Sequence, residues 1–175
     1  MKNLSPLCAS FCLFLCPLFY SGCNKDEDKL PPITMEGKNT FGCLVNGELF
    51  LPKGPLGQSG LHAEISNFSD TVGLIIYVSN TSTNKVLLIS IYDSPRLQTG
   101  KSYDLKNPNF QVQYIDYDNK NSCTYESVED GFVTLSKFEL TENIISGTFE
   151  LTILSKTCND DYCLFHHECI KCSKC

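Results

Sequence analysis

Residues 158 to 175 gather the densest reactive chemistry in the chain: Cys158, Cys163, His166, His167, Cys169, Cys172 and Cys175. Zinc takes four such ligands in a tetrahedron, and a C-x-x-C spacing lets two thiolates reach one ion from a tight turn. Cys163, His166, Cys169 and Cys172 form the candidate set, with His167 an alternative to His166. Cys169, Cys172 and Cys175 also begin an iron–sulfur pattern, without a fourth spaced cysteine. An oxidising compartment would instead turn neighbouring thiols into disulfides. The expectation is therefore no metal and no cofactor, with a tail that is disulfide-linked or disordered, or the product of a shifted reading frame.

Carboxylates are the next candidates, because glycosidase-like work needs two of them in one concavity. Asp116 and Asp118 lie two apart on one strand face, and Asp160 and Asp161 lie in the tail. The stretch from Asp116 starts like a calcium loop, then fails with Lys120, Asn121 and Ser127 at positions five, six and twelve. His62, the one histidine outside the tail, begins a strand with no nucleophile motif near it and reads as a surface residue. No G-x-S-x-G, H-E-x-x-H or phosphate-binding glycine loop occurs. The residues point away from catalysis.

The compartment is written at the other end. Lys2 precedes an apolar run from Leu4 to Phe19, interrupted by Pro6 and Pro17. As a helix that run spans about 24 Å, short of the roughly 30 Å hydrocarbon core. A basic start, a short apolar middle and the small residues Ser21 and Gly22 describe a secretory signal over residues 1–22. Cys23 follows at once. Tyr20 to Cys23 resembles the lipobox of bacterial lipoproteins, which implies cleavage before Cys23 and acylation of its thiol. Two or three acyl chains give stable membrane attachment. Residues 23–38 carry alternating charge and end near two prolines, the composition of a solvated tether. Asp26, Glu27 and Asp28 resemble the export signal of some Bacteroidota outer-membrane lipoproteins, although a plain spacer would read the same.

Without residues 1–22 the chain keeps 13 basic and 20 acidic side chains, a net charge of −7. Such a surface repels phosphate backbones, so the expected partner is a membrane reached through lipid, not nucleic acid.

From Thr40 onward the hydrophobic period is two. In "FGCLVNGELFLP", Asn46 and Gly47 are the preferred pair for a two-residue type I′ turn, where both positions need positive φ. Pairing outward sets Val45 opposite Glu48, Leu44 opposite Leu49 and Cys43 opposite Phe50. Cys43, alternating with Phe41 and Val45, reads as a buried thiol. Further strands are expected at 61–68, 72–79, 85–92, 109–117, 131–140 and 144–154, separated by turn chemistry. The second and third of these are nearly continuous apolar runs and should be central. The sequence predicts an all-β domain over 39–158, an antiparallel sandwich or a barrel, followed by a tail at 159–175.

"GKNTFGCLVNGELFLPKG" together with "GFVTLSKFEL" and "NIISGTFELTIL" resembles a family of Bacteroidota lipoproteins. Its members open on N-T-F-G-C-x-V-N-G and close on I-[IV]-S-G-T-F. The resemblance implies an exported all-β domain and supplies no catalytic residue. Cys123 and Cys158 match cysteines of that family, and a bond between them would close a loop of some 35 residues, stabilising by about 3–4 kcal/mol. The family continues past Cys158 with a further strand, where this chain reads "NDDYCLFHHECIKCSKC". That difference predicts a missing final strand and an open sheet edge. The expected role is a lipid-anchored envelope protein, structural or binding and not an enzyme. The alternatives are a hydrolase using strand-end carboxylates and a metal or redox module built by the tail.

Overall fold

Asn46 and Gly47 have φ of 52° and 85°, and the turn between them closes the first hairpin of the chain. In the computed structural model, which describes residues 29–33, 35, 37–68, 71–93, 97–117, 122–155, 162–166 and 170–173, that hairpin joins β1 (Cys43–Val45) to β2 (Glu48–Phe50). The pairs are Cys43 with Phe50, Leu44 with Leu49 and Val45 with Glu48. Pro31, from the segment read as tether, lies against the hairpin: a methyl group on Gly42 would come within 2.6 Å of its ring.

Ten further strands follow: β3 (Leu61–Phe68), β4 (Thr71–Asn80), β5 (Lys85–Asp93), β6 (Ser102–Asp104), β7 (Gln111–Asp116), β8 (Cys123–Tyr125), β9 (Ser127–Glu139), β10 (Ile144–Leu154), β11 (Tyr162–His166) and β12 (Ile170–Ser173). They build two antiparallel sheets. The first runs β2-β1-β11-β10-β9-β6, with β12 also paired to β10, and the second runs β3-β4-β5-β7-β8. The described pairings leave each sheet open, so the architecture is a sandwich. No helix among the described residues is long and apolar enough to cross a membrane.

Alternation fills the space between the sheets. Leu74, Ile76 and Val78 of β4 stand opposite Ile91, Ile89 and Leu87 of β5, and all six are fully buried. From the first sheet Val133, Leu135, Phe149, Leu151 and Ile153 meet them. A line of rings crosses the core. Phe149 stacks on Phe41 at 5.8 Å, Phe41 meets Phe50 edge-on at 6.4 Å, Phe50 meets Tyr114 at 6.3 Å, and Tyr114 meets Tyr125 at 5.8 Å. Strands β4 and β5 do lie inside their sheet, as their continuous apolar runs require.

The expected boundary at Cys158 falls short of the sheet. β11 pairs with both β10 and β1, and β12 pairs with the other end of β10. The missing final strand is thus corrected: "YCLFH" occupies the position between β1 and β10. A continuous run of aromatic and apolar residues from Tyr162 to Phe165 fits a strand flanked by two neighbours.

Between β2 and β3 the chain makes a pinned loop. Lys53 N–H donates to Ser79 O at 2.8 Å, and Thr81 N–H donates back to Lys53 O at 2.8 Å. Leu56 at its tip is fully exposed and sits at φ 48°.

A valine at Gly47 would hold a β-branched residue at positive φ, which costs about 1–3 kcal/mol. Gly47→Val should therefore lower the melting temperature by several degrees, read by circular dichroism, while Gly47→Asn should lower it less.

Candidate functional site

The β7–β8 ladder runs from Tyr114 to Asp116, and among the described residues the first half of β7 has no strand partner on that side. Tyr117 N–H donates to Asn84 O at 3.0 Å, so alternate residues Gln111, Gln113 and Ile115 bond toward β5. Val112 therefore directs its N–H and C=O into the gap. Around that gap lies a cleft of about 500 Å³. Its walls come from the β6–β7 connection, β7, β8 and the paired ends of β9 and β10.

Two side chains shape the β6–β7 wall. Asp104 Oδ1 accepts the Lys106 N–H at 2.9 Å, and Asn107 Oδ1 accepts the Asn109 N–H at 3.0 Å. These consecutive Asx turns bring Phe110 N–H onto Asn107 O at 2.9 Å. The Phe110 ring then meets Tyr103 at 6.4 Å. On the opposite wall Glu126 N–H donates to Leu154 O at 3.3 Å, and Ser155 Oγ donates to Thr124 O at 2.9 Å. The lining mixes the amides of Asn107, Gln111 and Gln113 and the hydroxyls of Thr124 and Ser127 with Phe110, Val112 and Val128. Its charged members are Lys106 and Glu126, and Lys106 lies 3.6 Å from Asp130 in an exposed pair. Such a surface offers hydrogen-bond donors and acceptors around an apolar floor. It suits an uncharged polar ligand.

The residues singled out from sequence lie elsewhere. Asp116 pairs with Lys85 at 3.6 Å, both about a quarter exposed, so its carboxylate has a cation partner at the end of the sandwich. Asp118, Asp160 and Asp161 lie outside the described residues, as do Cys23, Cys158, His167, Cys169 and Cys175. His62 is two-thirds exposed, with Glu64 3.7 Å away. Cys43 is a free thiol, fully buried, and burial pushes its pKa far above the ordinary thiol range. It is packing, not a nucleophile. Cys123, also buried, is disulfide-bonded.

The candidate zinc set is not brought together. Cys163 stands opposite Ile153, whereas Cys172 stands opposite Ile145, at the far end of β10. Eight strand residues separate those positions by about 26 Å. His166 stands opposite Leu44 of β1. One ion cannot take ligands from both ends of a strand. Among the described residues no three histidine, cysteine or acidic side chains cluster.

Sequence reasoning passed over the cleft. Its one signal was the alternation of Gln111 and Gln113 in an otherwise apolar strand. The remaining lining arrives from separate segments that only the fold assembles. No family model, curated protein or solved structure matches the chain.

Proposed function

We propose that the chain is a lipid-anchored, exported envelope protein whose sandwich binds an uncharged polar ligand without transforming it. The observation that carries the binding role is the cleft beside β7, where Val112 directs backbone groups into a space edged by three amide side chains. The anchor rests on residues 1–23. In this reading Cys23 carries the acyl chains, residues 24–38 form the tether, and the attachment is to the outer membrane, on its periplasmic or surface-exposed face. The net charge of −7 after removal of residues 1–22 supports a role away from nucleic acid.

The oxidising compartment that goes with this reading fits the disulfide at Cys123. We assign its partner as Cys158. Ser155 is hydrogen-bonded to Thr124, the neighbour of Cys123. Three more residues reach at most about 10 Å, which puts Cys158 within range of Cys123.

Three outcomes are expected. Grown with a labelled fatty acid, cells should label the wild-type chain and not Cys23→Ala; an unlabelled, uncleaved wild type would sink the anchor. Cys123→Ser and Cys158→Ser should each cost about 2–5 kcal/mol in denaturant unfolding, with the double variant no worse than either single. Additive losses would separate the two cysteines. For the cleft, neutral saccharides and short uncharged peptides are screened by thermal shift. A binder should lose about tenfold in affinity with Gln113→Ala. Binding that ignores both this change and Gln111→Ala would place the ligand elsewhere.

A further inference from the structure

β3 ends the second sheet, and its outer edge has no strand partner among the described residues. Hydrogen bonding shows which groups lie along that edge. Ser79 N–H donates to Gly60 O at 2.7 Å, so Gly60, His62 and Glu64 bond toward β4. Leu61, Ala63 and Ile65 turn their N–H and C=O outward. Leu61 uses both groups locally, with the hydroxyl of Ser59 at 3.1 and 3.2 Å in an exposed pair of contacts. The side chains of Leu61, Ala63 and Ile65 pack against the core but remain half-buried, while Leu74, Ile76 and Val78 beside them on β4 are fully buried. The apolar layer is incompletely covered at this edge.

The other face of β3 is polar. His62 and Glu64 are 68% and 53% exposed. Their neighbours across on β4 are Tyr77 and Ile75. β12, the part of the first sheet that comes nearest, has its described pairing with β10.

We propose that β3 pairs antiparallel with β3 of a second copy, centred on Ala63. Edge groups must meet edge groups, which restricts the two-fold axis to a few positions along the strand. Centring on His62 or Glu64 sets like side chains opposite themselves, and centring on Ile65 sets His62 opposite Phe68. Centring on Ala63 sets His62 opposite Glu64 twice, Leu61 opposite Ile65 twice, and the smallest side chain on the axis. Ala63 then forms a hydrogen-bonded pair with itself. The flanking His62–Glu64 pairs take the closer, non-hydrogen-bonded spacing of about 4.5 Å between Cα atoms, which favours side-chain contact. Charges on an edge usually discourage pairing. Here an imidazole ring N–H meets a carboxylate acceptor in one register, so the pair selects it. The pairing joins two five-stranded sheets into one of ten and covers the half-buried apolar side chains. It stands independently of the ligand cleft.

The test is self-association of the full chain by analytical ultracentrifugation, with non-reducing gels to detect covalent species. A reversible dimer is expected. His62→Glu puts carboxylates opposite each other at both sites and should weaken the dimer roughly tenfold. The swapped variant His62→Glu/Glu64→His should restore it. Both side chains are exposed, so an unchanged melting temperature separates lost pairing from lost fold. A chain monomeric at every concentration, a dimer indifferent to His62→Glu, failure of the swap, or a dimer that survives denaturant as a covalent species would each overturn the proposal.

Discussion

The two sheets are held together by a line of aromatic rings that no single strand could supply. Phe149 belongs to β10, Phe41 precedes β1, Phe50 lies in β2, and Tyr114 and Tyr125 come from β7 and β8. The contact between Phe50 and Tyr114 is where the line passes from one sheet to the other. Aromatic pairs in this geometry add about 0.5–1.5 kcal/mol each beyond the area they bury. Their position also fixes the Asn46–Gly47 turn: a slip of one residue in the β1–β2 hairpin would carry Phe50 to the outer face and break the crossing. The turn chemistry and the core therefore specify the same register, one through backbone φ and the other through packing.

Residues with strong local signals could be read from sequence. The alternation in "IISGTFELTIL" and the apolar runs of β4 and β5 located those strands to within a residue or two, because sheets with these faces leave few other periods available. The strands that escaped are β6 and β8, each three residues long. Three residues hold too little alternation to separate a strand from a turn. β11 and β12 escaped for a different reason: their cysteines and histidine invite a reading as ligands. Pairing with β10 is a property of the sheet, not of the segment. The cleft was illegible on similar grounds, since Asn107, Gln113 and Ser127 converge only after four elements have been placed.

Cysteine shows how environment governs chemistry here. Cys43 and Cys123 are both buried in the sandwich, yet one is a free thiol and the other is oxidised. Cys43 sits among apolar side chains, where desolvation disfavours the thiolate. Cys123 opens β8, next to the segment that leaves β10. The difference is one of neighbours within reach, and it could not be told from spacing along the chain.

The position of β11 also orders events in time. Among the described residues the β1–β2 hairpin joins the first sheet only through β11, which lies between β1 and β10. β1 must therefore wait for β11, more than a hundred residues further along the chain, before its second edge is filled. Loop-closure entropy over more than a hundred residues makes such a contact slow to form. Until then β1 presents an unpaired edge to whatever else is nearby. A chain wired in this way cannot complete its first sheet until β11 has been made, and depends on β1 staying unpaired until then.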